Sequence, residues 1–214
     1  VEKKLNLQDF DELNEKTVFL KKNVLSSDDC YNIIMKVLHN FEERKSKYSN
    51  CWLKKSDIPE YIKKIEAVTN IDSSFYENCS IYRYQAQQVH GPFSDAYDLK
   101  SDLGKKYTEQ LGQRLYSIVV PLTSNIEYKF NKLNLETNLE EGSVLFYDNI
   151  QKNTFNSLNN QLEHIIKNKT AINVVYVMNL YVRERTNMGK SLYPNSSNNM
   201  QSLPLTKPKV SFEN

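Results

Sequence analysis

Ala171-Ile-Asn-Val-Val-Tyr-Val-Met-Asn-Leu-Tyr-Val182 is the longest strand-like stretch of the chain. Ile172, Val174, Tyr176, Met178, Leu180 and Val182 alternate onto one apolar face, and Asn173, Asn179 and Arg183 fall on the other. A period of two sustained this far predicts a β-strand. Upstream, Arg114-Leu-Tyr-Ser-Ile-Val-Val-Pro-Leu122 repeats the signal, and its Pro121 demands an edge, a bulge or the strand's end. Cys79-Ser-Ile-Tyr-Arg-Tyr84, Ile126-Glu-Tyr-Lys-Phe130 and Ser143-Val-Leu-Phe-Tyr147 are further strands, the last preceded by the turn Glu141-Gly142. Thr17-Val-Phe-Leu20 is a short one.

Before residue 78 the period is helical. Ser26-Ser-Asp-Asp29 starts a helix whose apolar face is Cys30, Ile33, Ile34, Val37, Leu38 and Phe41. A second helix has Asp57 as its cap, Glu60 three positions on, Pro59 in its first turn, and a stripe of Ile58, Tyr61, Ile62, Ile65 and Val68. Helices first and many short strands after them predict an α+β fold, with helices supporting one face of an antiparallel sandwich or barrel.

A chain of 214 residues suits one domain or at most two small ones. Lys+Arg 28 against Asp+Glu 26 excludes the whole-protein basic field of a dedicated nucleic-acid binder. Lys45, Lys47, Lys54, Lys55, Lys63 and Lys64 do interleave with Tyr48, Trp52 and Tyr61, but Glu42, Glu43, Asp57 and Glu60 interrupt them, so nucleic acid is not the expected partner. No apolar run approaches 18 residues, so no membrane span is expected, and no apolar segment follows Val1-Glu2-Lys3-Lys4 as a signal peptide requires. Three cysteines with no C-x-x-C pair point to a reducing, intracellular compartment. The excess of Lys and Asn reflects an A+T-rich genome. Residues 1–16 read as a polar lead-in, 17–185 as the folded domain and 186–214 as a polar tail.

The ordered series of segments resembles the prolyl 4-hydroxylase-like branch of the 2-oxoglutarate/Fe(II) oxygenases. Asn23-Val-Leu-Ser-Ser-Asp-Asp-Cys30 resembles that family's opening helix; Tyr82-Arg-Tyr-Gln-Ala-Gln-Gln88 with Gly91-Pro92 resembles its approach to the metal motif. Gly112-Gln-Arg-Leu115 with Ile118-Val-Val-Pro-Leu122, and Glu141-Gly-Ser-Val-Leu-Phe-Tyr147, resemble two of its strands. The last pieces are Ser157-Leu158, Lys169 and Tyr181-Val-Arg-Glu184. The resemblance spans residues 17–185 and implies a double-stranded β-helix, a jelly-roll of antiparallel strands.

It also implies a chemistry, and the sequence departs from it. Members hold Fe(II) with an H-x-D pair and a second His; a basic residue ten positions after that His, with a Tyr, takes the far carboxylate of 2-oxoglutarate. Here the H-x-D position reads Phe93-Ser94-Asp95, and the second His position is Asn159. Asp95, Tyr84 and Lys169 match; both imidazoles are replaced. Phe has no lone pair for a metal and Asn offers one neutral oxygen. The expectation is therefore a catalytically degenerate member with no metal and no cofactor, whose partners are other protein chains in an assembly. Because the family has members in large DNA viruses as well as in cells, a virion is the alternative location. The competing expectation is an active Fe(II)- and 2-oxoglutarate-dependent hydroxylase with a site from His90, Asp95 and His164. Against it, His90 reads as a loop histidine and His164 as a polar position in a surface connection.

Overall fold

The structure is a computed structural model that describes residues 9–14, 17–41, 48–150 and 162–192. In chain order the described elements are β1 (Asp11–Asn14), β2 (Val18–Lys21), α1 (Ser27–Val37), β3 (Tyr48–Leu53), α2 (Pro59–Thr69), β4 (Cys79–Tyr84) and β5 (Val89–Phe93). Then come α3 (Asp102–Thr108), β6 (Arg114–Pro121), β7 (Ile126–Phe130), β8 (Leu135–Leu139), β9 (Val144–Asp148), β10 (His164–Asn168) and β11 (Val175–Arg183). They form a seven-stranded sheet of order β1-β2-β9-β6-β11-β4-β3 and a four-stranded sheet of order β5-β10-β7-β8. Neighbouring strands are antiparallel, and from β4 onward the chain passes back and forth between the sheets. This is the jelly-roll.

The larger sheet is covered on both faces. Its outer face carries Phe19, Cys79, Ile81, Ile118, Val120, Val144, Phe146, Met178, Leu180 and Val182, packed with Cys30, Ile33 and Val37 of α1 and Tyr61, Ile62 and Ile65 of α2. Its inner face carries Val18, Leu20, Tyr84, Val119, Leu145, Tyr147, Val175 and Val177, which meet Ile126, Tyr128, Phe130 and Ile166 of the smaller sheet. A strand buried on both faces needs no polar side, which is why every residue of β6 from Ser117 and of β9 is buried.

β11 differs from its sequence reading in one respect. It begins at Val175, with Ile172 85% exposed before it. From Val175 to Arg183 every residue is buried, including Asn179 and Arg183 on the face toward the smaller sheet. Pro121 ends β6, where it donates nothing and its carbonyl accepts from Gly142 N at 2.9 Å.

α1 starts where its sequence predicts and is closed by a capping box: Asp29 N donates to Ser26 Oγ at 3.2 Å and Ser26 N to Asp29 Oδ2 at 2.9 Å. α2 starts otherwise. Asp57 lies in a 3₁₀ turn, Ile58 occupies the cap position without a side-chain bond, and Pro59 with its fixed φ begins the helix. Lys64 of α2 reaches Asp29 at 2.5 Å and ties the two helices together. β1 falls within the predicted lead-in and pairs with β2. Residues 186–192 turn back on the end of β11, where Arg185 bridges Ser191; the rest of the predicted tail lies outside the described residues. Among the described residues no helix is long and apolar enough to cross a membrane.

Phe146, fully buried and stacked on Tyr116 at 5.1 Å, tests the outer core. Phe146→Ala should cost about 3–5 kcal/mol and Ser26→Ala about 1 kcal/mol. Urea denaturation of both variants checks this; equal losses would contradict the packing described.

Candidate active site

Strand β5 carries an extra residue relative to β10. Phe93 pairs with His164 and His90 with Ile166, so three steps on β5 span two on β10. The bulge contains Gly91 and Pro92. Gly91 has φ +115, and a Cβ there would come within 2.5 Å of the His164 carbonyl, so only glycine lets the strands meet this closely. Three residues apart, His90 and Phe93 would ordinarily face opposite ways. The bulge turns them together, with ring centroids 4.5 Å apart.

His164 is not in a surface connection. It opens β10 inside the smaller sheet, paired with Phe93 on one side and Phe130 on the other, and is fully buried. Its ring lies 4.4 Å from Phe93, stacks on Tyr128 at 5.0 Å and meets Tyr147 edge-on at 5.5 Å. Nδ1 sits 3.0 Å from the Leu162 carbonyl, which assigns it the proton and leaves Nε2 facing the Tyr147 hydroxyl at 3.5 Å. His90 is likewise in a strand rather than a loop, and its Nδ1 is 3.2 Å from the Tyr84 hydroxyl.

Asp95 is 6% exposed. Its Oδ2 accepts from Ser117 Oγ at 2.6 Å and from the Tyr147 hydroxyl at 2.5 Å. Ser117 on β6 and Tyr147 on β9 are direct cross-strand partners, so the register of the large sheet delivers both hydroxyls to one oxygen. Asn149 Nδ2 donates to Ser117 Oγ at 2.9 Å and fixes its rotor. Burial pushes the His90 imidazole down to about 4, with the charge of His164 adding to the effect. Burial also lowers His164 against the opposing pull of Asp95. Burial and the Asp95 carboxylate push Tyr128, Tyr147 and Tyr181 well above the usual phenol range. At neutral pH the site is thus a set of neutral rings around one carboxylate.

Behind Asp95 stands a buried ion cluster. Arg114 donates to Glu77 from Nε at 2.8 Å and Nη2 at 2.7 Å, and from Nη1 to the Asp95 carbonyl at 3.3 Å. Its guanidinium lies over Tyr181 at 3.7 Å and Tyr97 at 4.5 Å. Arg183 donates to the same Glu77 at 3.1 Å and to the Tyr107 carbonyl. This cluster joins the starts of β4 and β6 to the end of β11.

The residues singled out for 2-oxoglutarate have different partners. Tyr84 is fully buried and faces His90. Lys169 is exposed, 3.2 Å from Glu127 Oε2, and donates to Asn138 at 3.1 Å. The alternation of β10 turns His164, Ile166 and Asn168 inward, and Asn168 reaches the carbonyls of Tyr84 at 3.2 Å and Gln85 at 2.8 Å. Asn159 lies outside the described residues. Phe93 lies between the imidazoles of His90 and His164, and among the described residues no three His, Cys, Asp or Glu side chains gather into a metal-ligand set. The donors described therefore do not fit a two-imidazole, one-carboxylate Fe(II) centre.

No family model and no curated protein matches the sequence. Solved structures do match the fold. A viral collagen prolyl hydroxylase from Paramecium Bursaria Chlorella virus-1, as its 2OG complex, superposes with a TM-score of 0.60 at 15% identity over 81% of this chain and 98% of its own. A truncated form of that hydroxylase gives 0.58 at 17% identity over 78% and 90%. At this identity the likeness shows the jelly-roll and nothing of the chemistry.

The depressed imidazoles set a pH dependence. An unfolded His titrates near 6.5, so between about 6.5 and 4 the unfolded chain binds a proton that folded His90 refuses. The stability that neutral His90 contributes is present above pH 6.5 and lost as pH falls toward 4. His90→Gln should flatten the fall measured by urea denaturation at pH 7, 5.5 and 4.5. An unchanged slope would contradict the burial assigned to this ring.

Proposed function

We propose that this chain is a prolyl 4-hydroxylase-like jelly-roll that no longer oxygenates and instead binds other protein chains, within a cell or a virion. The observation that carries the reading is Phe93, wedged between His90 and His164 while both hydroxyl donors occupy Asp95. Fe(II) chemistry needs lone pairs converging on one point with positions left open. A phenyl ring supplies none and takes up the space. The ion pair of Lys169 with Glu127 supports the same reading, because an ammonium engaged there is not free for the far carboxylate of a keto acid.

The second reading is an Fe(II)/2-oxoglutarate hydroxylase using His90, Asp95 and His164. It is favoured by one fact, that His90 and His164 both touch Phe93, two residues before Asp95. Anaerobic purification with Fe(II) or Mn(II), followed by metal analysis, separates the two. The first reading expects metal well below one per chain and 2-oxoglutarate affinity in calorimetry that is millimolar or absent. Near-stoichiometric metal, lost in His90→Ala or His164→Ala, would overturn it. A restoration arm uses Phe93→His with Asn159→His. Each single change should bind little metal, and the pair should bind more than the singles imply, because ligands act together.

A further inference from the structure

A cavity lies beside the jelly-roll mouth, and neither proposed reading uses it. It encloses about 380 Å³, within the range of small-molecule sites. It contains none of Tyr84, His90, Phe93, Asp95, Tyr147 or His164. Arg114 is the wall between the two, with Tyr97 of this cavity on one side of its guanidinium and Tyr181 of the interior on the other.

Its lining combines aromatic surface with more cations than carboxylates. Trp52, Phe75, Tyr76, Tyr97 and Tyr107 supply the rings, with Tyr97 and Tyr107 5.3 Å apart. Lys55, Arg183 and Arg185 supply cations against the single carboxylate of Glu77. That carboxylate is already committed to Arg114 and Arg183. Arg185 pairs with Glu184 at 3.6 Å. Lys55 Nζ donates to two neutral carbonyls, Ser73 at 2.5 Å and Tyr76 at 2.7 Å, with Asp72 and Glu66 acting on it through space. An ammonium has three N–H donors, so beside these two carbonyls one is left for a ligand, and a half-buried cation gains from an anion placed there.

We infer that this cavity binds a carboxylate attached to an apolar or aromatic body, the anion held by Lys55 and Arg185 and the body lying against Trp52 and the Tyr97–Tyr107 pair. The carboxylate belongs either to a free small acid or to an acidic side chain on an extended segment of another protein. Trp52 lies on β3, the edge strand of the large sheet, where such a segment can approach.

Trp52 is the only tryptophan in the chain and is 54% exposed, so its fluorescence reports on the cavity without labelling. The probes are phenylacetate, its neutral analogue phenylacetamide, and the capped peptide acetyl-Ala-Glu-Phe-amide. Phenylacetate or the peptide should change Trp52 emission saturably, with affinity falling as salt rises. Whichever binds tighter identifies the source of the carboxylate. Phenylacetamide should bind at least tenfold more weakly than phenylacetate. Lys55→Gln and Arg185→Gln should each weaken the acid severalfold; Arg185 is a surface residue whose loss leaves the fold intact, so a misfolded Lys55 variant does not spoil the test. No saturable change with either acid, equal binding of the amide, or unaltered affinity in Arg185→Gln with Lys55→Gln folded would overturn the inference.

Discussion

A carboxylate buried without a cation on it is the constraint around which the mouth is built. Asp95 has no ammonium or guanidinium on its side-chain oxygens among the described contacts; two hydroxyls solvate it instead. Removing such a charge from water is prohibitively costly unless donors replace the lost hydration. Hydrogen bonds to an ionised group contribute about 1.5–3 kcal/mol each, so both donors are needed. They are available only because Ser117 and Tyr147 sit opposite each other in the β6–β9 ladder, and because Asn149 holds Ser117 in place. A one-residue slip of either strand would turn these side chains to the helix-covered face and leave the carboxylate bare. The sheet register and the site are therefore one fact.

The same demand explains the neutrality of everything near it. A phenolate beside Asp95 would place like charges in a dry space, so Tyr128, Tyr147 and Tyr181 keep their protons. For His164 the carboxylate pulls toward protonation and burial pulls away, and burial wins. Positive charge is kept one layer further out, in Arg114 and Arg183. These two guanidiniums share Glu77, and without it they would repel each other at the ends of β6 and β11. Breaking a buried pair on one side typically costs about 3–5 kcal/mol, because the remaining charge stays unpaired. Glu77 thus secures strand ends that frame the cavity it lines with Arg183.

The large sheet was legible in the sequence because burial on both faces leaves a continuous apolar run, and β4, β6, β9 and β11 all have one. The order of those runs implied an antiparallel sandwich or barrel, the resemblance implied the jelly-roll, and a jelly-roll is what the structure contains. The smaller sheet was far less legible. β8 and β10 each have one face in solvent and only five residues, so Leu135-Glu-Thr-Asn-Leu139 and His164-Ile-Ile-Lys-Asn168 look like polar connections. That is why His164 was read as a surface residue when it is at the centre. β3 hid behind its neighbouring lysines. The Arg183–Glu77–Arg114 cluster joins residues 37 and 106 positions apart, a separation at which no local pattern signals contact. One clue was available: Gly91-Pro92 beside His90 marks a break in strand geometry, and the bulge there is what aims His90 inward.

Phe93 fills the space between two imidazoles at the mouth. Its phenyl ring, at the end of β5, packs against His90 and His164 at 4.5 and 4.4 Å. Full burial of a Phe contributes about 1.5–3 kcal/mol, of which the partly buried Phe93 gains a share. Aromatic contacts of the edge-on kind it makes with His164 add about 0.5–1.5 kcal/mol. An apolar ring at this position stabilises the fold directly. Asp95 cannot be replaced on the same terms. Its Oδ2 accepts from two buried hydroxyls, so removing it would take from Ser117 and Tyr147 their shortest hydrogen bonds. Asp95 thus has a structural role of its own, so its presence in the sequence says nothing by itself about iron.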